Sequence, residues 1–315
     1  MTLPDSFFAG DIRALSRTIS LVEDGGEGYQ AVLGSLYERR GKSIRIGITG
    51  PPGAGKSSLV NCLASLFLAQ KKKVGIIAVD PTSPFTGGAL LGDRVRMNDY
   101  PIDGSIFFRS MATRGATGGL ADSTNDVTVI YEAYGFDITM IETVGVGQVE
   151  LDIIDNCDVV VVVVVPESGD SVQTMKAGLM EIANVFAVNK VDRPGSERLV
   201  SELQHTLSLR KKSDNWIIPV IGTDAVNRTN VDTLFTAING YVAHAESTGI
   251  FESRRREQMR HKVLTVLKHR FQAEFLNGMA EKIEFEKRID EILLGKSNPF
   301  VLSDELYAYF IQRAR

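Results

Sequence analysis

The chain has little sulfur with which to crosslink or chelate. Of its 315 residues only two are cysteines, Cys62 and Cys157, far apart and in no CxxC pair. That excludes a disulfide framework and fits a reducing, cytoplasmic setting. The four histidines, His205, His244, His261 and His269, show no metal-ligand spacing. Long apolar runs are missing as well. The longest, Val159 to Val165, falls far short of the roughly 20 residues a membrane-spanning helix needs. Its β-branched content suits a buried parallel strand instead. Met1-Thr2-Leu3-Pro4-Asp5-Ser6-Phe7-Phe8 has no basic segment leading into an apolar one, so no secretory signal is expected. A net charge of −4 lacks the basic excess typical of nucleic-acid binders, and neither nucleic acid nor membrane is an expected partner. No internal repeat or low-complexity tract is present.

What is present begins with Gly50-Pro51-Pro52-Gly53-Ala54-Gly55-Lys56-Ser57, which reads as GxxxxGKS. Apolar Ile44–Ile48 precedes it as a strand, and Ser58–Leu66 follows with helical spacing. Glycines let the backbone wrap a phosphate closely, and successive N–H groups at the helix start then face the anion. Lys56 places a charge near the β- and γ-phosphates, and the Ser57 hydroxyl is a candidate Mg²⁺ ligand. An ordinary strand-to-helix turn would need neither residue at those offsets.

From residue 43 to 245 apolar runs alternate with helical segments. Strands are predicted at 44–49, 74–79, 138–142, 159–165, 185–189 and 217–221. Helices are predicted at 56–70, 120–134, 171–183, 196–210 and 230–244. This is an α/β pattern, a P-loop NTPase with a mostly parallel central sheet flanked by helices. Its ligand is expected at the carboxyl ends of the strands. Residues 1–42 read as an N-terminal helical extension packed on the core, with Asp11 as a cap. Residues 246–315 read as a charged C-terminal helical arm. There Arg254, Arg255, Arg256, Arg260, Lys262, Lys268 and Arg270 crowd an apolar stripe through Met259, Val263, Val266, Leu267 and Phe271. A solvated face and a partner surface both fit the basic cluster.

Three further constellations sit at strand ends. Asn189-Lys190-Val191-Asp192 reads guanine: the Asp192 carboxylate accepts the N1–H and 2-amino protons, which adenine cannot supply. Asn189 tethers the loop and the Lys190 stem covers the base. Glu142-Thr143-Val144-Gly145-Val146-Gly147-Gln148 gives a carboxylate on the Mg²⁺ side and a glycine whose N–H can sense the γ-phosphate. Gln148 and Glu150 ride on this loop. Val79-Asp80-Pro81-Thr82-Ser83 and Gly92-Asp93-Arg94 add carboxylates for positioning water or Mg²⁺. Asp80 also suits a turn before Pro81, and Asp93 a pair with Arg94 or Arg96. Arg109 and Arg114 are candidates for neutralising phosphate, with solvated surface as their plainer reading.

Taken together these residues resemble the MeaB/ArgK family of G proteins associated with methylmalonyl-CoA mutase, within the SIMIBI class of P-loop NTPases. The likeness also includes Gly10–Arg17, Phe108–Gly115 and Gly118-Gly119-Leu120. The resemblance implies a Mg²⁺-dependent GTPase converting GTP to GDP and phosphate. It implies a homodimer through the C-terminal arm that gates adenosylcobalamin delivery to, and protects, an acyl-CoA mutase. Carried over by position, Lys56, Asp80, Asp93, Glu142 and Gly145 are catalytic. Ser57, Asp80, Asp93 and Glu142 face Mg²⁺, and Gly50 to Ser58, Asn189, Lys190, Asp192, Thr223 and Ala225 hold the nucleotide. The chain departs from the family at Pro166-Glu167-Ser168-Gly169-Asp170-Ser171-Val172-Gln173 and at Gly222-Thr223-Asp224-Ala225. The first lies in the segment 166–176, thought to signal nucleotide state in the family. The second replaces its Ser-Ala loop behind the guanine. A nickel-delivery GTPase and a transport-protein kinase are the alternative readings.

Overall fold

The computed structural model describes residues 5–39, 41–80, 104–112, 122–143, 153–166, 177–209, 215–278 and 284–313. Contacts divide the chain into two compact units, residues 1–255 and residues 256–315.

The first unit is built on seven parallel strands: β1 Ile44–Thr49, β2 Val74–Asp80, β3 Ile106–Ala112, β4 Ile138–Glu142, β5 Val159–Val164, β6 Val185–Asn189 and β7 Val220–Thr223. Their order is β3-β2-β4-β1-β5-β6-β7. β1 is flanked on one side by strands reached early in the chain and on the other by β5 to β7. The strand order therefore reverses beside it, which is where ligands bind in open α/β sheets. In β5, Val160, Val162 and Val164 enter one core, and Val159, Val161 and Val163 enter the other. Both faces are covered, so the strand reads as an unbroken apolar run.

One face carries α1 Asp5–Phe8, α2 Ile12–Glu23, α3 Tyr29–Tyr37, α5 Asp122–Tyr134, α6 Ala177–Ile182 and α7 Ser196–Ser208. The other carries α4 Lys56–Ala69 and α8 Val231–Ser247. Asp11 caps α2 by accepting the Arg13 N–H at 2.8 Å. Leu15, Ile19 and Leu36 of α2 and α3 are fully buried. Burial of that kind contributes about 1.5–3 kcal/mol per side chain.

Three details depart from the sequence reading. β3 is an additional strand at the sheet edge, paired with β2 from Val74↔Ile106 to Asp80↔Ala112. Arg109 does not face phosphate: within β3 its guanidinium pairs with Glu23 of α2 and donates to Ser20 Oγ at 3.2 Å. β7 joins the ladder only at Val220, opposite Phe186.

Arg254 and Arg255 also leave the solvated basic face. They lie near the start of α9 Ile250–Gly278. The Arg255 guanidinium reaches Asp158 Oδ1 at 2.8 Å and Oδ2 at 2.5 Å, and that carboxylate also takes Arg45 at 2.6 and 3.2 Å. Arg254 donates to the Asp158 carbonyl at 2.5 Å.

The second unit holds the rest of α9, α10 Phe285–Leu293 and α11 Pro299–Arg313. Asn298 Oδ1 caps α11 by accepting the N–H groups of Phe300 at 3.0 Å and Val301 at 3.1 Å. Arg288 joins α10 to α11 through Glu305. Val263, Leu264, Val266, Leu267 and Phe271 of α9 are exposed. Among the described residues no helix is long and apolar enough to cross a membrane.

Candidate nucleotide site

Three strand ends bring the site together. β1 ends at Thr49 and passes into the glycine-rich loop, where Gly50, Gly53 and Gly55 have φ of 140°, 75° and 86°. At Gly50 a Cβ would lie 1.9 Å from the Val163 carbonyl oxygen, so only glycine lets the loop leave the sheet there. α4 then starts at Lys56 with Gly55 as its N-cap. The first N–H groups of a helix have no intrahelical acceptor, so those of Lys56, Ser57 and Ser58 are suited to an anion.

Lys56 is buried, and its Nζ donates to the carbonyls of Gly50 at 2.8 Å and Pro51 at 3.0 Å. The ammonium is thereby held across the loop it belongs to. Pro52 and Gly53 form the exposed crest, and Ala54 is buried beneath it.

β4 lies beside β1 with Ile48 opposite Glu142. That register carries the Glu142 carboxylate to the start of α4, where Ser57 Oγ donates to its Oε1 at 2.6 Å. Thr143 continues the ladder through its N–H to the Ile48 carbonyl at 3.1 Å. Its hydroxyl meets that of Thr49 at 2.9 Å, both side chains being buried. This hydroxyl pair is absent from the sequence reading, although Thr143 follows Glu142 directly and Thr49 precedes the glycine loop. Asp80 ends β2, the strand on the other side of β4, where Ala78 stands opposite Glu142. Asp80 and Glu142 thus share the carboxyl edge of the sheet. Asp93 and Gly145 lie outside the described residues, as do Arg114, Gln148, Glu150 and residues 167–176.

β6 supplies the third corner. Asn189, buried at its end, donates through Nδ2 to the Ala54 carbonyl at 2.8 Å. Its Oδ1 accepts the Ala225 N–H at 3.1 Å and the Thr223 hydroxyl at 3.3 Å. Lys190 turns the chain at φ 62°, and the Val191 N–H returns to the Thr223 carbonyl at 3.1 Å. Asp192 projects from this turn and is exposed. Lys56, Ser57 and Glu142 thus meet at the glycine-rich loop and the start of α4, and Asn189 ties Thr223 and Ala225 to the same loop at Ala54.

The donor set also bears on the metal. A hydroxyl and a carboxylate that meet beside a phosphate-binding loop are hard oxygen ligands. Mg²⁺ is commonly bound by one or two such groups, with substrate phosphates and water completing the octahedron. Among the described residues no group of three or more His, Cys, Asp or Glu forms a metal cage.

The family profile described as "Methylmalonyl Co-A mutase-associated GTPase MeaB" matches residues 15–280. A protein of Pyrococcus abyssi is 41% identical over 298 residues, spanning 94% of this chain and 92% of its own. GTPase ArgK of Escherichia coli is 31% identical over 298 residues, spanning 92% of this chain and 88% of its own. A solved structure titled as an LAO/AO transport system kinase aligns with a TM-score of 0.70 over 97% of this chain and 95% of that one. At 24% identity that likeness shows the shared fold.

Proposed function

Since the chain belongs to the MeaB family of methylmalonyl-CoA mutase-associated GTPases, we propose that its nucleotide site drives a chaperone cycle on a cobalamin-dependent acyl-CoA mutase. In this reading GTP hydrolysis gates the loading of adenosylcobalamin into the mutase and protects the loaded enzyme. The match to the mutase-associated family over residues 15–280 supports the client, and Asn189, whose one side chain joins the phosphate loop at Ala54 to the base loop at Ala225, supports the nucleotide site.

The roles follow from position. The N–H groups of residues 50–58 and the Lys56 ammonium cradle the phosphates. In the reaction a water oxygen attacks the γ-phosphorus, the bond from that phosphorus to the β–γ bridging oxygen breaks, and of the water's two protons one stays on inorganic phosphate and the other passes to solvent. Lys56 offsets the charge that gathers on the bridging oxygen. Ser57 and Glu142 would hold Mg²⁺, with Asp80 and Asp93 as further candidate carboxylates, and Mg²⁺ would supply positive charge against the phosphates. Gly145 would report the γ-phosphate through its N–H. Asp192 accepts the N1–H and 2-amino protons of guanine, Lys190 covers the base face, and a main-chain N–H of the loop 222–225 donates to the 6-oxo group. Thr223 holds Asn189 in place.

We assign residues 43–245 as the GTPase domain, 1–42 as a helical extension and 246–315 as the arm through which two copies form a homodimer. The exposed Val263, Val266, Leu267 and Phe271 supply an apolar face for that contact.

The test is co-purification with a cobalamin-dependent mutase, followed by adenosylcobalamin transfer measured with GTP and with GDP. Complex formation and a nucleotide-dependent transfer rate are expected. Failure to bind any such mutase, or transfer indifferent to nucleotide, would overturn the chaperone role.

A further inference from the structure

Glu142 and Thr143 are consecutive, so their side chains leave the end of β4 toward opposite faces of the sheet. Met140, two residues before Glu142, packs in the core beneath α4, and Ile141, two before Thr143, packs in the core on the other face. On the α4 face Glu142 accepts the Ser57 hydroxyl at 2.6 Å. On the other face the Thr143 hydroxyl meets that of Thr49 at 2.9 Å. Thr49 immediately precedes the glycine-rich loop and Ser57 lies just beyond it. The two flanks of the phosphate loop therefore grip two successive residues of β4, one on each face.

The loop also has supports that do not involve β4. Thr49 stands opposite Val162 of β5, Gly50 lies against the Val163 carbonyl, and Asn189 of β6 donates to the Ala54 carbonyl. A diphosphate held by the loop and the start of α4 depends on these supports alone. A triphosphate with Mg²⁺ also engages β4, through Glu142 and the chain that leads on to Gly145. It has to be held by both sides of the fork where β1 and β4 part.

Two side-chain contacts cross that fork. Ser57 with Glu142 is the pair assigned above to the metal. Thr49 with Thr143 has no such assignment, and both side chains are buried. The backbone ladder reaches only the Ile48 carbonyl, which accepts the Thr143 N–H. The hydroxyl pair carries the joint one residue further, to the root of the phosphate loop.

We propose that the Thr49–Thr143 hydroxyl pair is the positioning contact that holds β4 against the root of the phosphate loop, so that the protein favours a Mg²⁺-bound triphosphate over a diphosphate. This rests on the nucleotide site proposed above and adds which residues keep its phosphate and metal sides in register.

The experiment is equilibrium titration of the full chain with GDP in EDTA and with GMPPNP, the non-hydrolysable imido analogue of GTP, in Mg²⁺. Thr143→Val is expected to weaken GMPPNP about tenfold, the size of one lost hydrogen bond, and to leave GDP unchanged. Thr143→Ser keeps a hydroxyl and should retain the wild-type ratio of the two affinities. Thr49→Val combined with Thr143→Val replaces both hydroxyls by methyl groups of the same shape. It leaves no polar group stranded, so it should melt near the wild-type temperature and still bind GMPPNP weakly. The double variant carries the test if a single one fails to fold. Equal weakening of both nucleotides, weakening of neither, or GMPPNP affinity regained in the double variant would overturn the proposal. Glu142→Ala, run in parallel, should remove the Mg²⁺-dependent part of GMPPNP affinity. If it does not, the metal side of the site is wrongly assigned, which is distinct from an error at the threonines.

Discussion

The Asn189 side-chain amide donates to the Ala54 carbonyl at 2.8 Å, across 135 residues of sequence, and ties the end of β6 to the phosphate loop. The same side chain accepts the Ala225 N–H, so phosphate grip and base grip share one support. Asn189→Ala removes both contacts and leaves buried polar groups unpaired. We expect a loss of about 1–3 kcal/mol in stability and a 10- to 100-fold loss of guanine-nucleotide affinity. Urea denaturation and calorimetric titration would measure the two. Full affinity in the variant would show that the two loops hold themselves.

Lys56 is held by the Gly50 and Pro51 carbonyls at the loop it serves. Lys56→Ala should leave the fold intact, because the side chain spans the loop rather than the core. Phosphate release in a single turnover should fall by about 10²–10³-fold, as for other removed groups that stabilise developing charge. Retention of wild-type turnover would mean that the ammonium plays no part in the reaction.

Gly50 combines a φ of 140° with a Cβ position 1.9 Å from the Val163 carbonyl oxygen. Gly50→Ala must therefore displace either the phosphate loop or β5. Backbone strain of this kind costs about 1–3 kcal/mol before the overlap is counted. A lowered melting temperature together with lost GTP binding is the expected outcome, read by thermal unfolding with and without nucleotide.

Asp158 is fully buried between Arg45 and Arg255. Burial alone raises its pKa; the two guanidiniums outweigh that and hold the carboxyl well below the usual carboxylate range. A folded pKa below the unfolded one contributes stability above the unfolded value, and that stability fades as pH drops below about 4. Unfolding by urea at pH 7 and pH 3 should show the wild type losing more than Asp158→Asn does. At pH 7, Asp158→Ala should cost about 3–5 kcal/mol, because it strands the buried Arg45 and removes the partner of the half-buried Arg255. A pH dependence identical in wild type and variant would remove Asp158 from the acid response.

What the sequence disclosed and what it hid divide by distance along the chain. The phosphate loop, the Asn189 turn and the Glu142 strand end are local patterns, each readable from a few neighbours. The edge strand β3 escaped because Arg109 interrupts its apolar run and reads as surface. Its partner Glu23 lies 86 residues away on α2, and nothing local announces that pair. Arg254 and Arg255 likewise looked like a solvated basic face, since Asp158 is about a hundred residues upstream. The Thr49–Thr143 hydroxyl pair joins two motifs that were each visible, but their meeting depends on the β1–β4 register. Asp224 read only as a departure in the base loop; its closing of that loop emerges from the contacts to Val226, Asn227 and Thr229.

The most direct measurement is the nucleotide preference of hydrolysis in the wild type and in Asp192→Asn. The wild-type carboxylate accepts the guanine N1–H and 2-amino protons, whereas the variant's amide accepts the N1–H that xanthine keeps and donates to the 2-oxo group that xanthine carries in place of the amino group. We expect the wild type to hydrolyse GTP and to discriminate against ATP and XTP. Asp192→Asn should reverse the order and hydrolyse XTP in preference to GTP. A variant that keeps the wild-type preference for GTP would contradict the site described here.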